Sequence, residues 1–488
     1  MTVPTRRTLF VLATGALALA GAALVSPAAG GAAGGHPPGV IGSPITLRAS
    51  VQLVSYDVAA NSAGRAYIGW MSDDGAPVHR YVHLCTLPVA ATSCQGGVQT
   101  ISVLDDAYAA DLHVLVTGDD VVKLVWFDHS TPSTPAIVVA SAARGQDLTA
   151  GQSYPGTTGL GQLLTAEVSP SGEIWTVTYE ASLPNRVLVR PDVTAADVPV
   201  STPYPVGHAQ LAFTGGKAVL AFEAYSFTTN AAHYKVRSAG GAWGAMQSVP
   251  HTWTTGAGAA LETTGHGLRI VTGVNDASYR PVIAKWTGSG FTPRQLTADH
   301  NACAPSSHDG YADPSGRLLD VSWECNQVTI ANYPDALHAA LVRISIGTKV
   351  ATYTPQIASG TRGIATVVWS VQAALGKNVL RFAHVRLPDA TTTTSHSGAG
   401  GKVTVTGPRT CLPPVNVHVG WTHPAANNWS FRAGSLRLGN TAIAGSTLDG
   451  ASLTPGKAYS LIGTATFGRG GDRSTVKATL NFRSCGTG

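Results

Sequence analysis

The sequence predicts an all-β fold: a closed ring of repeated four-stranded units, followed by a small sandwich domain. Three observations predict it. A glycine turn followed by an alternating apolar strand recurs seven times along the chain. The composition is rich in Gly, Thr, Ser and Val and only 12% charged, which suits short strands joined by tight turns. After Leu387 the repeat stops and a different strand pattern begins.

The N-terminus is read first, because it is excluded from the fold. Arg6 and Arg7 precede an uncharged run rich in Ala, Gly and Leu, and Ser26-Pro27-Ala28 offers small residues for cleavage. Residues 1–40 are therefore read as a signal peptide and leader. Thr5–Phe10 resembles the twin-arginine export signal; an ordinary secretory signal with a chance arginine pair is the plainer alternative. Both predict a secreted, extracellular protein. No later stretch is long and apolar enough to span a bilayer, so a soluble, monomeric product is expected.

Six cysteines fit an exported protein, with Cys85–Cys94, Cys303–Cys325 and Cys411–Cys485 the expected disulfides among fifteen possible connectivities. No CxxC occurs, which argues against a structural zinc site. The formal charge of +5 becomes +3 without Arg6 and Arg7, and no run of basic residues appears, which argues against nucleic acid as a partner.

The repeat units read "SAGRAYIGWMSDD", "TGDDVVKLVWFDH", "PSGEIWTVTYEAS", "TGGKAVLAFEAYS", "TGHGLRIVTGVND", "PSGRLLDVSWECN" and "TRGIATVVWSVQ". Their glycines, Gly64, Gly118, Gly172, Gly216, Gly267, Gly316 and Gly363, are separated by 54, 54, 44, 51, 49 and 47 residues. Seven units of this length, each with room for four strands, read as a seven-bladed β-propeller over 41–388. A β-sandwich with long insertions is the competing reading. The last unit is one strand short, and "ITLRASVQL" near the mature N-terminus is expected to supply that strand and close the ring. Residues 389–402, "PDATTTTSHSGAGGK" in essence, read as a linker, and 403–488 as an immunoglobulin-like β-sandwich.

The working face is sought where second strands end, because those turns and the links between blades open on the same side. Asp73, Asp128, Glu180, Glu223, Asp276 and Glu324 fall at comparable strand ends. Turn chemistry accounts for the aspartates. The glutamates, each preceded by a bulky aromatic, are candidates for acid–base chemistry. Trp70, Trp126, Trp253 and Trp323 are candidate platforms for a sugar, with core packing as the alternative. Cys303–Cys325 would pin a loop carrying His308 and Asp309 beside Glu324, either as a staple or to hold a site rigid. His113, His208 and His308 begin inner strands and are candidate bases. No cofactor is assigned, although three imidazoles leave a divalent metal open.

These turn-and-strand units resemble secreted β-propellers as a group, which includes sialidases, polysaccharide lyases, lectins and interaction proteins. The sialidase Asp box and the WD and kelch signatures are missing. In size and export the chain is also similar to the family of streptomycete dispase autolysis-inducing proteins, without a shared motif; that resemblance implies an interaction propeller and transfers no site. Two functions follow as expectations. The first is a secreted propeller that binds an extracellular glycan or a secreted protein through one face. The second is a glycoside hydrolase using two of Glu180, Glu223 and Glu324, or a polysaccharide lyase using His208 or His308 with Arg80, Arg186 or Arg280 as neutralising partner.

Overall fold

A computed structural model of the protein describes residues 39–483 apart from connecting segments, the longest being 250–258, 273–281, 296–307 and 449–456. The signal-peptide reading therefore lies outside the described residues. Every element within them is a β-strand, and five of the nine sheets are four-stranded antiparallel meanders.

Five meanders stand as separate sheets. Blade 2 is Ala110–Thr117, Val121–Asp128, Ala136–Ala142 and Gln152–Pro155; blade 3 is Leu160–Val168, Ile174–Glu180, Arg186–Arg190 and Val198–Ser201. Blade 4 is Val206–Thr214, Lys217–Ala224, Ala231–Arg237 and Gln247–Ser248; blade 5 is Ala259–Thr264, Gly267–Thr272, Val282–Trp286 and Phe291–Gln295. Blade 6 is His308–Ala312, Leu318–Glu324, Gln327–Tyr333 and Ala340–Ser345.

The remaining two blades share one strand. Gly39–Ala60 is long enough to belong to both: Ile45 and Thr46 pair with Phe382 and Arg381 of Lys377–Arg386, whereas Asp57 and Val58 pair with Gly69 and Ile68 of Ala66–Asp73. Its first half completes blade 7 (Gln356–Ser359, Ile364–Ala374, Lys377–Arg386). Its second half begins blade 1, followed by Ala66–Asp73, Arg80–Leu87 and Val98–Val103. The expected closing strand is thus in place.

The first strands of the blades touch one another in a closed circle, blade 1 to 2 and onward to 7, then back to 1. This is a propeller, with the first strands around a central channel. Hydrophobic clusters lie between blades, because each radial sheet buries both faces. Met71, Val114, Leu124 and Trp126 join blades 1 and 2; Val177, Leu211, Leu220 and Phe222 join blades 3 and 4.

At the seam the backbones of blades 1 and 7 nearly touch. A Cβ added to Gly360 would stand 2.2 Å from Gly64 N and Cα, and Gly64 itself has φ +85°, so both positions require glycine.

The C-terminal part is a β-sandwich. Thr391–Gly398, Gly401–Pro408 and His418–Thr422 form one sheet, and Thr441–Ala442, Ser430–Leu438, Ala458–Arg469 and Asp472–Arg483 form the other. Val403, Val405, Leu461, Ala465, Phe467 and Val476 fill the space between them. The linker reading is corrected here. Thr391–Gly398 is a strand paired in register with Gly401–Pro408, because a run of β-branched threonines is a good strand once it has a partner.

Candidate functional site: the central channel

A first strand has a neighbour on one side only, so backbone N–H groups along its free edge need other acceptors. Side chains from the preceding blade provide them. Asp57 Oδ2 accepts from Val114 N at 2.7 Å and Ser55 Oγ from Leu112 N at 2.9 Å, tying blade 1 to blade 2. Gln210 Oε1 accepts from Leu261 N, tying blade 4 to 5, and Asp309 Oδ2 from Ile357 N at 3.2 Å, tying blade 6 to 7. Gln356, with its amide orientation assigned from the network, donates to both Asp309 Oδ2 and Asp57 Oδ1 at 3.1 Å each. Three blades therefore meet at one amide.

Asp57, Gln210, Asp309 and Gln356 line a cavity of about 370 Å³, within the roughly 300–1,000 Å³ range of small-molecule sites. Three more titratable side chains line the same cavity: His113 of blade 2, Glu167 of blade 3 and His208 of blade 4. No hydrogen bond to another described residue engages any of these three.

Burial shapes their ionisation. Removal from water raises Glu167 to about 8, with the Asp57 charge adding to the shift, and lowers His113 to about 4. His208 is open to channel water but walled by protein, and desolvation lowers it too. Asp57 is raised to about 7 by desolvation against two backbone N–H bonds that oppose the shift. Asp309 is pushed well above the usual carboxylate range, first by burial and then by Asp57. Near neutral pH, His113 and His208 carry no charge and Glu167 is mostly protonated.

Of the residues expected to act as acids or bases, His113 and His208 line this cavity. In the strand register His208 stands opposite Glu223, so two sequence candidates meet across one strand pair. Glu180 ends its strand opposite Leu160, Glu324 stands opposite Gln327, and His308 begins its strand opposite Ser322. Asp73 and Asp128 also end second strands, at the same side of the ring. Asp276, Trp253, Cys303, Cys325, Cys411 and Cys485 lie outside the described residues. Cys85 and Cys94 are bonded, across the hairpin that follows Arg80–Leu87.

Two expectations are corrected. Trp70, Trp126 and Trp323 are not contact platforms: they are 1%, 2% and 6% exposed and belong to the inter-blade cores. Each blade packs both faces of its sheet against its neighbours, so a bulky aromatic near the end of a second strand is taken into an inter-blade core. Trp70 stacks on His83 at 4.8 Å, and Trp323 Nε1 donates to Tyr353 O at 2.7 Å. Arg80 is also no free neutralising group, since its Nε is 2.7 Å from Asp73 Oδ1.

Sequence reasoning passed over Asp57, Glu167, Gln210 and Gln356 as site residues. The available signal was a polar residue inside an otherwise apolar first strand, as in "SYDVAA" and "LLTAEV". Among the described residues no group of three His, Cys, Asp or Glu side chains is arranged to hold a metal, and no helix is long and apolar enough to cross a membrane.

No protein-family model matches the chain, and no curated protein matches it in sequence, including any dispase autolysis-inducing protein. In structure it is similar to the polysaccharide lyase Uly1, with a TM-score of 0.45 and 10% identity over 68% of this chain and 89% of that one. It is also similar to an ulvan lyase (TM-score 0.44, 10% identity, 69% and 95% covered). The NanB sialidase of Streptococcus pneumoniae gives a TM-score of 0.40 at 10% identity, with 70% of each chain covered. The fold assignment rests on the strand pairing and the closed circle of first strands.

Proposed function

We propose that the protein is an exported binding propeller whose channel takes a neutral, hydroxyl-rich ligand, an end or a loop of a glycan. The observation that carries this is the convergence of His113, Glu167 and His208, from three consecutive blades, on one cavity, none of them hydrogen-bonded to another described residue. A neutral imidazole and a protonated carboxyl group each offer a donor and an acceptor, the same pair that a sugar hydroxyl offers. A fully charged lining would instead select a counter-ion. Asp57, Asp309, Gln210 and Gln356 hold the blades in place around this cavity and act as positioning residues.

The test uses a panel of neutral and anionic polysaccharides, with binding read by calorimetry and soluble products by mass spectrometry. Retention of a neutral glycan without new products is the expected result, with affinity reduced about tenfold in Glu167→Gln or His208→Ala. Accumulation of shortened chains would overturn simple binding and turn attention to Glu223, the register partner of His208.

A further inference from the structure

Charge is divided unevenly along the chain. Residues 401–488 hold nine lysines and arginines against two aspartates, a formal +7 in a chain of net +5, so residues 1–400 sum to −2. Four of these cations share one surface. In the sheet of Ser430–Leu438, Ala458–Arg469 and Asp472–Arg483, one face is buried against the opposing sheet through Leu461, Ala465, Phe467 and Val476. The other face carries Arg432, Arg437, Arg473 and Lys477, all exposed.

Register sets them in rows. Lys477 lies opposite Thr464, which lies opposite Ser435; Thr479 lies opposite Ile462, which lies opposite Arg437. Arg473 lies opposite Gly468, and Arg432 crosses that glycine: a Cβ there would meet Arg432 Nε at 2.8 Å. The missing side chain lets Arg432 lie close to Arg473. Between the cationic rows, Thr466 and Thr475 share a hydrogen bond of 3.2 Å. At ~4.8 Å between strands and ~3.4 Å per residue, the four cations stand within a patch of roughly 10 by 20 Å. The three strands contain one acidic residue, Asp472, which pairs at 3.6 Å with Arg469 at the hairpin.

We propose that this face docks an anionic, hydroxyl-rich polysaccharide. Four like charges at this spacing repel one another, and a polyanion relieves that repulsion along its length. The guanidinium forks match carboxylate groups. The threonines and Asn481 between and beside them match sugar hydroxyls. These rows hold no aromatic side chain on which a base would stack, which disfavours single-stranded nucleic acid. The inference does not depend on the channel's ligand.

The full mature chain is tested by affinity electrophoresis in gels containing polygalacturonate, with dextran as the neutral control. Retardation by polygalacturonate alone is expected, weakening at least about tenfold between roughly 50 and 300 mM salt. The variant carrying Arg432→Gln, Arg437→Gln, Arg473→Gln and Lys477→Gln loses about thirtyfold or more, and replacing the three arginines by lysine, which keeps the charge and loses the fork, costs about threefold. Where the fourfold variant fails to fold, Arg473→Gln with Lys477→Gln serves, with an expected loss of about fivefold. Glu167→Gln leaves the retardation unchanged, which separates this site from the channel. Absence of retardation, equal retardation of the glutamine variants, or tighter binding to an oligonucleotide or to phosphatidylserine vesicles of equal charge would each overturn the proposal.

Discussion

The channel has two unlike halves. At blades 6, 7 and 1 its polar groups are joined to one another and to backbone: Asp57 and Asp309 each accept backbone N–H, and Gln356 spans them. The same seam is crossed by Tyr56 Oη donating to Thr354 O at 2.8 Å and by Tyr353 Oη donating to Leu53 O at 2.7 Å. At blades 2, 3 and 4, His113, Glu167 and His208 face the same cavity without such bonds. The difference follows from chain connectivity. Blades 2 to 4 are held in order by short links, whereas the seam brings together residues about 300 positions apart and must be held by contacts after a large loop-closure cost. Equal burial of carboxyl groups therefore serves closure in one half and leaves hydrogen-bonding capacity for a ligand in the other.

The comparison breaks most sharply at the seam. Gly360→Ala places a methyl group against Gly64 backbone atoms that cannot move independently of both blades, and is expected to cost about 3 kcal/mol or more in urea denaturation. Asp57→Ala is next. It strands the N–H groups of Val58 and Val114, both on buried residues, and is expected to cost about 2–4 kcal/mol. A cost near zero for Asp57→Ala would mean that water replaces the carboxylate and that the seam is no more dependent on its side chains than the opposite half.

The fold was legible because its signals are local and repeated. Glycine turns such as Gly64, Gly172 and Gly216 take positive φ, which a single sequence reveals through spacing. Residues 45–53 could be recognised as the closing strand because the last unit lacked one. The site was legible only where a polar residue interrupts a strand start, as at His113 and His208. Asp57 and Glu167 sit within strands, and their meaning comes from a neighbouring blade more than 50 residues away, which no local pattern records. The tryptophans misled for a related reason: both faces of a blade are packed against neighbouring blades, so an aromatic near a strand end belongs to an inter-blade core whichever way it points.

The pH dependence of stability sharpens the comparison further. Asp57 has its folded value raised to about 7 from an ordinary 3.8, so its contribution is fully present below about pH 4 and is lost as pH rises through about 7. His113 runs the other way: lowered to about 4, it contributes above its ordinary 6.5 and loses that contribution as pH falls through about 4. Between about pH 4 and 6.5 these two slopes oppose, while Glu167 and Asp309, both raised by burial, add to the fall with rising pH. Asp57→Asn, which retains one acceptor, removes one falling contribution, so its stability is expected to fall less steeply than that of wild type from about pH 4 to 7, as followed by thermal melts at one-unit steps.

Glu167→Gln is the smallest and most discriminating change. Glu167 is raised to about 8, so the wild-type protein loses stability as pH rises from the ordinary carboxylate value of 4.5 through about 8. Glutamine cannot ionise and strands no backbone donor. The variant is expected to match wild type within about 0.5 kcal/mol at pH 5 and to be the more stable of the two at pH 9. Because the shift at Glu167 draws partly on the charge of Asp57, the gain at pH 9 should shrink when Asp57→Asn is combined with it, a coupling read from a double-mutant cycle. A large loss at pH 5 would show that Glu167 is built into the ring as firmly as Asp57, and the two halves of the channel would then be alike.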